Sequence, residues 1–140
     1  MMIMDPNGLE RNSCMRSMYY PQGDVFVIVF SIRERYTFDR IKDFYGEITK
    51  VVNNPTIFLC ANKCDLTVGN EVTHEEGIKM AQEIHAVEYI KTSALTGEGV
   101  DELFEKIIEK CYIAKENESK NSQPANNVNQ ENKNKNCEIA

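Results

Sequence analysis

Asn62-Lys63-Cys64-Asp65 has the residue types and spacing for recognition chemistry, and Thr92-Ser93-Ala94 can serve as its partner. A fixed carboxylate at Asp65 can accept two hydrogen bonds side by side, as from the ring and exocyclic N–H groups of a guanine edge. The aliphatic stem of Lys63 can lie flat along a base while its ammonium stays hydrated. A backbone N–H after Ser93 can donate to the guanine carbonyl, which adenine lacks. Replacing that carbonyl by an amine leaves buried groups unpaired, so such a site can discriminate strongly. Taken singly, Asp65 would serve as a turn cap and Lys63 as a solvated charge. The two loops together favour recognition.

Both loops must sit at strand ends. Val25-Phe-Val-Ile-Val-Phe30 is an unbroken apolar run, which predicts a strand buried on both faces. Phe38, Ile41, Phe44, Ile48, Val51 and Val52 recur at helical spacing and stop before Pro55. Thr56–Ala61 is a second strand, running straight into Asn62. Thr73 and Glu76 form a capping box that opens a helix through Ile78, Ala81 and Ile84. Glu88–Thr92 is a third strand, and Val100, Leu103, Phe104, Ile107, Ile108 and Cys111 mark a last helix. This alternation predicts an α/β fold with parallel strands, right-handed crossovers and flanking helices. Ligands of such sheets bind at the carboxyl ends of the strands, where both loops fall.

The 140 residues allow one domain, and 41% hydrophobic content excludes disorder for most of them. A net charge of −6 argues against nucleic acid as a partner. No apolar run reaches membrane-span length, and the N-terminus lacks signal-peptide character. Five cysteines without a secretory signal read as reduced thiols in a cytoplasmic protein. Cys60 and Cys64 have no second Cys or His pair to complete a metal site. Arg33, Glu34 and Arg35 read as a solvated turn. Composition changes at Lys115: from there to Asn136 the only aliphatic residues are Ala125 and Val128. The expected organisation is a domain over 1–114 and a disordered tail over 115–140.

Asn62-Lys63-Cys64-Asp65 with Thr92-Ser93-Ala94 resembles the guanine-specificity motifs of the Ras superfamily of small GTPases. Asp5-Pro-Asn-Gly8 sits where that family has Asp-x-x-Gly. Tyr20-Pro-Gln-Gly-Asp-Val-Phe26 and Ser93-Ala-Leu-Thr96 look like Rho members, whereas Asn62-Lys63 looks like Ras. The resemblance covers Met4 to about Ala114 and the terminus. It implies a remnant of the P-loop NTPase-type sheet, with GTP or GDP and Mg²⁺ as cofactors. Asn62, Lys63, Asp65, Ser93 and Ala94 are then the guanine-binding residues. Asp5 would face Mg²⁺ through water, and the Gly8 N–H would face a γ-phosphate.

No Gly-x-x-x-x-Gly-Lys-Ser/Thr occurs in the chain, so the backbone cradle, lysine and Mg²⁺-ligating hydroxyl of the phosphate site are lacking. The resemblance implies N-terminal truncation, with the first strands and first helix missing and an unpaired edge left beside Val25–Phe30. Leu9 stands where the family usually has the glutamine that orients the attacking water. The chain as given is expected to be inactive as a GTPase. A second reading is a non-catalytic interaction module that binds a protein partner through the open edge and the helix Tyr36–Val52.

Cys137-Glu-Ile-Ala140 fits a Cys-a-a-x prenylation signal, with Ala140 favouring farnesyl. The partners so implied are a prenyltransferase, a membrane reached through the lipid, and the regulators and effectors of a small GTPase. One lipid without a basic patch gives weak, reversible attachment, here to the cytoplasmic face of a membrane.

Overall fold

The computed structural model describes residues 2–5 and 16–121, with side chains in the last helix followed as far as Ile113. After a single 3₁₀ turn at Tyr20–Gln22 come β1 (Val25–Ser31), α1 (Arg35–Asp39), α2 (Ile41–Thr49), β2 (Thr56–Asn62), α3 (His74–Glu83), β3 (Glu88–Lys91) and α4 (Val100–Asn121). The sheet order is β1-β2-β3 with every pairing parallel. Ser31 pairs with Asn62 and Ala61 with Lys91, so the three strands end at nearly one level. The architecture is α/β, as the alternation of elements requires.

β2 is the central strand, and its alternating side chains serve two layers. Ile57, Leu59 and Ala61 join Ile28 and Phe30 of β1 beneath α1, α2 and α3, with Phe38, Ile41, Ile48, Met80 and Ala81 supplied by those helices. Phe58 and Cys60 turn the other way, joining Ile90 of β3 and Leu103 and Ile107 of α4. The β-branched and aromatic content of β1 and β2 suits a pleated, packed surface. α3 starts as its sequence demands: Thr73 Oγ1 accepts from Glu76 N at 3.2 Å, and Glu76 Oε2 accepts from Thr73 N at 2.9 Å.

Several sequence expectations need correction. β1 is buried on one face only: Val27 and Val29 are 38% and 53% exposed. Among the described residues α4 packs over β2, β3 and Val25 and leaves these two valines uncovered. The expected helix over Phe38–Val52 is divided at Arg40, which caps α1 and α2 with its backbone still in the right-handed helical region (φ −77°, ψ −10°). Arg40 N still donates to Tyr36 O at 3.3 Å and Phe44 N to Arg40 O at 3.2 Å, so helical hydrogen bonding continues across the division. In α3 the buried residues are Gly77, Met80 and Ala81, and Ile78 is exposed. β3 ends at Lys91, one residue short of the expected strand.

Helix α4 runs on to Asn121, past the boundary placed at Lys115. Adding residues to an existing helix gains one backbone bond for each residue fixed. Residues 115–121 hold no Gly or Pro to stop it, so the stretch is helical despite its polarity.

Candidate functional site

Asn62 is the last residue of β2, and Thr92 follows the last residue of β3. Parallel pairing therefore delivers both motif loops to one rim of the sheet. Thr92 N donates to Ala61 O at 2.8 Å, and Cys64 N donates to Thr92 O at 3.0 Å. Asn62 ties the loops together: its Oδ1 accepts from Lys63 N at 2.7 Å and from Ala94 N at 3.2 Å.

Asp65 is fixed by Ser93, whose Oγ donates to Asp65 Oδ1 at 2.5 Å. Ser93 is fully buried, and its hydroxyl also accepts from Thr96 N at 3.2 Å. Its backbone is held as well, with Ser93 N donating to Glu98 O at 2.9 Å and Gly97 N donating to Ser93 O at 2.8 Å. Every polar group of this buried serine thus has a partner, the condition for polar burial at small cost. Gly99 closes the turn at φ +69°, where a side chain would also collide with the Lys91 carbonyl. One oxygen of the half-buried Asp65 carboxylate is engaged, and the other has no hydrogen bond among the described residues. This free acceptor fits a base edge that offers N–H groups.

Lys63 adopts the left-handed region at φ +68°. Its Nζ donates to Glu34 Oε1 at 3.0 Å. The turn after β1 is solvated, as expected, and its side chains also act as a clamp. Arg33 donates to Val68 O at 2.9 Å, and Arg35 pairs with Glu76 at 2.6 Å. Arg35 N also donates to Glu71 Oε2 at 2.7 Å. These side chains reach across 29 to 41 residues to hold the segment that follows β2. Residue type alone gave no signal for it, because only the β1–β2 register brings the partners together.

The structure thus unites Asn62, Lys63, Asp65, Ser93 and Ala94. Ala94 N, expected as the donor to a ligand carbonyl, instead donates to Asn62 across a long bond for which a carbonyl can compete. Leu95, absent from the sequence-based set, is 83% exposed on the same turn and offers an apolar face beside Ala94. Asp5 is exposed, and no hydrogen bond or ion pair among the described residues joins it to these loops. Gly8, Leu9 and Cys137 lie outside the described residues.

Cys60 and Cys64 are ordinary thiols. Burial pushes the Cys60 pKa up, and its Sγ lies 3.0 Å from Thr92 Oγ1. Burial and then the negative charge of Glu98 raise that of Cys64. Both therefore stay protonated near neutrality, unlike metal-binding or nucleophilic thiolates. Among the described residues no group of three His, Cys, Asp or Glu side chains could hold a metal ion. Asp5 alone does not make a Mg²⁺ site, so those residues do not fit the ion. No helix of the described residues is long and apolar enough to cross a membrane.

A family model described as "Ras family" matches residues 1–113. The chain belongs to the Ras family. It is 33% identical over 108 residues to Ras-like protein 1 of Saccharomyces cerevisiae, covering 76% of this chain and 35% of the relative. Ras-related protein RabJ of Dictyostelium discoideum is 35% identical over 118 residues, covering 84% of this chain and 46% of the relative. Ras-related protein Ral-a of Drosophila melanogaster is 35% identical over 120 residues, covering 84% of this chain and 59% of the relative. This Ras-family chain thus spans between about a third and three-fifths of the curated relatives it matches. Its three-stranded parallel sheet with flanking helices is consistent with part of a small-GTPase fold.

Proposed function

We propose that this Ras-family chain recognises the guanine base of GTP or GDP, and that the protein belongs to a guanine-nucleotide-dependent signalling switch. The Asp65 carboxylate, clamped by buried Ser93 at the rim where β2 and β3 end, carries the reading. In this reading the free oxygen of Asp65 accepts from the base edge, and Ala94 N turns from Asn62 to the base carbonyl. The Lys63 stem and exposed Leu95 offer apolar faces to the flat ring. The Ser-Ala-Leu-Thr turn and Tyr20–Phe26 give the chain a mixed Ras and Rho character.

Phosphate recognition and hydrolysis are impaired in the chain as given. The sequence has no Gly-x-x-x-x-Gly-Lys-Ser/Thr to cradle phosphates or complete a Mg²⁺ site, and Leu9 cannot orient a water. Base contacts at roughly 1.5–3 kcal/mol for each charged hydrogen bond, less ordering costs, support about millimolar affinity. Cys137 is proposed as a prenyltransferase substrate whose lipid gives reversible attachment to the cytoplasmic face of a membrane. Regulators and effectors of small GTPases are the proposed protein partners.

An NMR titration with GMP tests the base site. Weak binding that shifts the amides of Asn62–Asp65 and Ser93–Leu95 is the expected result. Asp65→Asn should move the preference from GMP towards XMP, since an amide can donate where a carboxylate only accepts. An Asp65→Asn variant with unaltered preference would refute the reading.

A second reading has its own observation: among the described residues β1 pairs with β2 alone, and Val27 and Val29 stand exposed next to its other edge. Such an edge can accept a strand from a protein partner, giving a non-catalytic interaction module. Stoichiometric capture of a protein without nucleotide, lost on Val29→Lys, would favour it.

A further inference from the structure

Lys63 is held at both ends. Its backbone N donates to Asn62 Oδ1 at 2.7 Å, its carbonyl accepts from Leu66 N at 3.1 Å, and its ammonium reaches Glu34 at 3.0 Å. Glu34 is itself on fixed backbone. Its N donates to Ser31 O at 3.2 Å, and its carbonyl accepts from Thr37 N at 2.9 Å and from Thr37 Oγ1 at 2.7 Å. The Ser31–Asn62 pairing sets the two residues level at the rim. Ile32 N donates to Asn62 O at 3.2 Å, continuing the ladder between them.

A free lysine spreads over many rotamers and loses them when its stem must lie on a ligand. Anchoring the ammonium beforehand removes much of that loss, while the side chain stays 43% exposed and open to a ligand. We propose that Glu34 is a positioning residue that holds the Lys63 stem ready against the face of a guanine base. The inference rests on the guanine reading above and adds to it a residue 29 positions from the motif. Glu34 touches no base, so it tunes affinity and leaves the choice of base to Asp65.

A double-mutant cycle on the full chain tests this, with GMP as probe and amide NMR as readout. Lys63→Met keeps an apolar stem and removes the ammonium. Glu34→Gln should weaken GMP binding roughly three- to fivefold in the wild-type background. It should change nothing in the Lys63→Met background and leave the GMP-to-XMP preference intact. No weakening in wild type, or equal weakening in both backgrounds, overturns the proposal. The Lys63 ζ-ammonium resonance should be sharp in the wild-type chain and broaden in Glu34→Gln; an unchanged resonance overturns the tether even where GMP binds. A wild-type chain that binds no GMP overturns the guanine reading and this role with it, while the ammonium resonance still reports the ion pair separately.

Discussion

Glu47→Gln should cost this domain a large part of its stability, for reasons visible around Arg16. Glu47 of α2 accepts from Arg16 Nε at 3.1 Å, from a second Arg16 nitrogen at 2.7 Å and from the Tyr20 hydroxyl at 2.9 Å. Arg16 is only 2% exposed and stacks over Phe44 at 5.2 Å. A glutamine keeps one acceptor oxygen and turns the other position into a donor facing the guanidinium. At least one charge-assisted bond is lost, and those that remain lose the negative charge of their acceptor. The expected loss is about 2–3 kcal/mol, against a total of roughly 5–15 kcal/mol for a domain. Urea unfolding at neutral pH, followed by circular dichroism, measures it.

The same experiment carries a pH signature. Hydrogen bonding from Arg16 holds the Glu47 pKa below its ordinary 4.5. The stability this confers is complete above 4.5 and is lost as pH falls through the lower folded value. The gap between wild type and Glu47→Gln should accordingly close in acid. An unchanged urea midpoint at neutral pH, or a gap indifferent to acid, would refute the reasoning.

Thr73→Ala removes the capping box of α3 and should cost about 1 kcal/mol in thermal or urea unfolding, with the fold retained. Gly77→Ala improves helix propensity by about 1 kcal/mol, yet its methyl would meet the Tyr89 ring. Overpacking should win, giving net destabilisation of about 1–2 kcal/mol in the same assay. Burial pushes the Tyr89 pKa up to about 12 from 10.0. Stability tied to neutral Tyr89 is complete below 10.0 and is lost as pH rises towards 12, so urea midpoints should fall across that window. Tyr89→Phe should flatten that part of the fall.

The sequence was most legible where local chemistry decides structure. Thr73 and Glu76 announce a helix start because their bonds are made within four residues. β1 and β2 were readable from continuous apolar runs, β3 from its place in the strand–helix alternation, and Asn62–Asp65 with Ser93–Ala94 from their position at strand ends. What covers a strand is a long-range matter, so nothing in Val25–Phe30 told that Val27 and Val29 would be left open. Ile78 and Met80 lie two positions apart on one helix, and only the docked orientation of α3 chooses which is buried. The partnership of Glu34 with Lys63 depends on strand register, which no short window contains. Helical extension to Asn121 was missed because polarity was weighed and continuity with an existing helix was not.

The left-handed backbone at Lys63 makes that position doubly selective. Asparagine or glycine would accept the twist and surrender the long stem, whereas valine or isoleucine would resist the twist itself. A library randomised at this single codon would therefore sort into two losses: variants that keep the bend and variants that keep the reach.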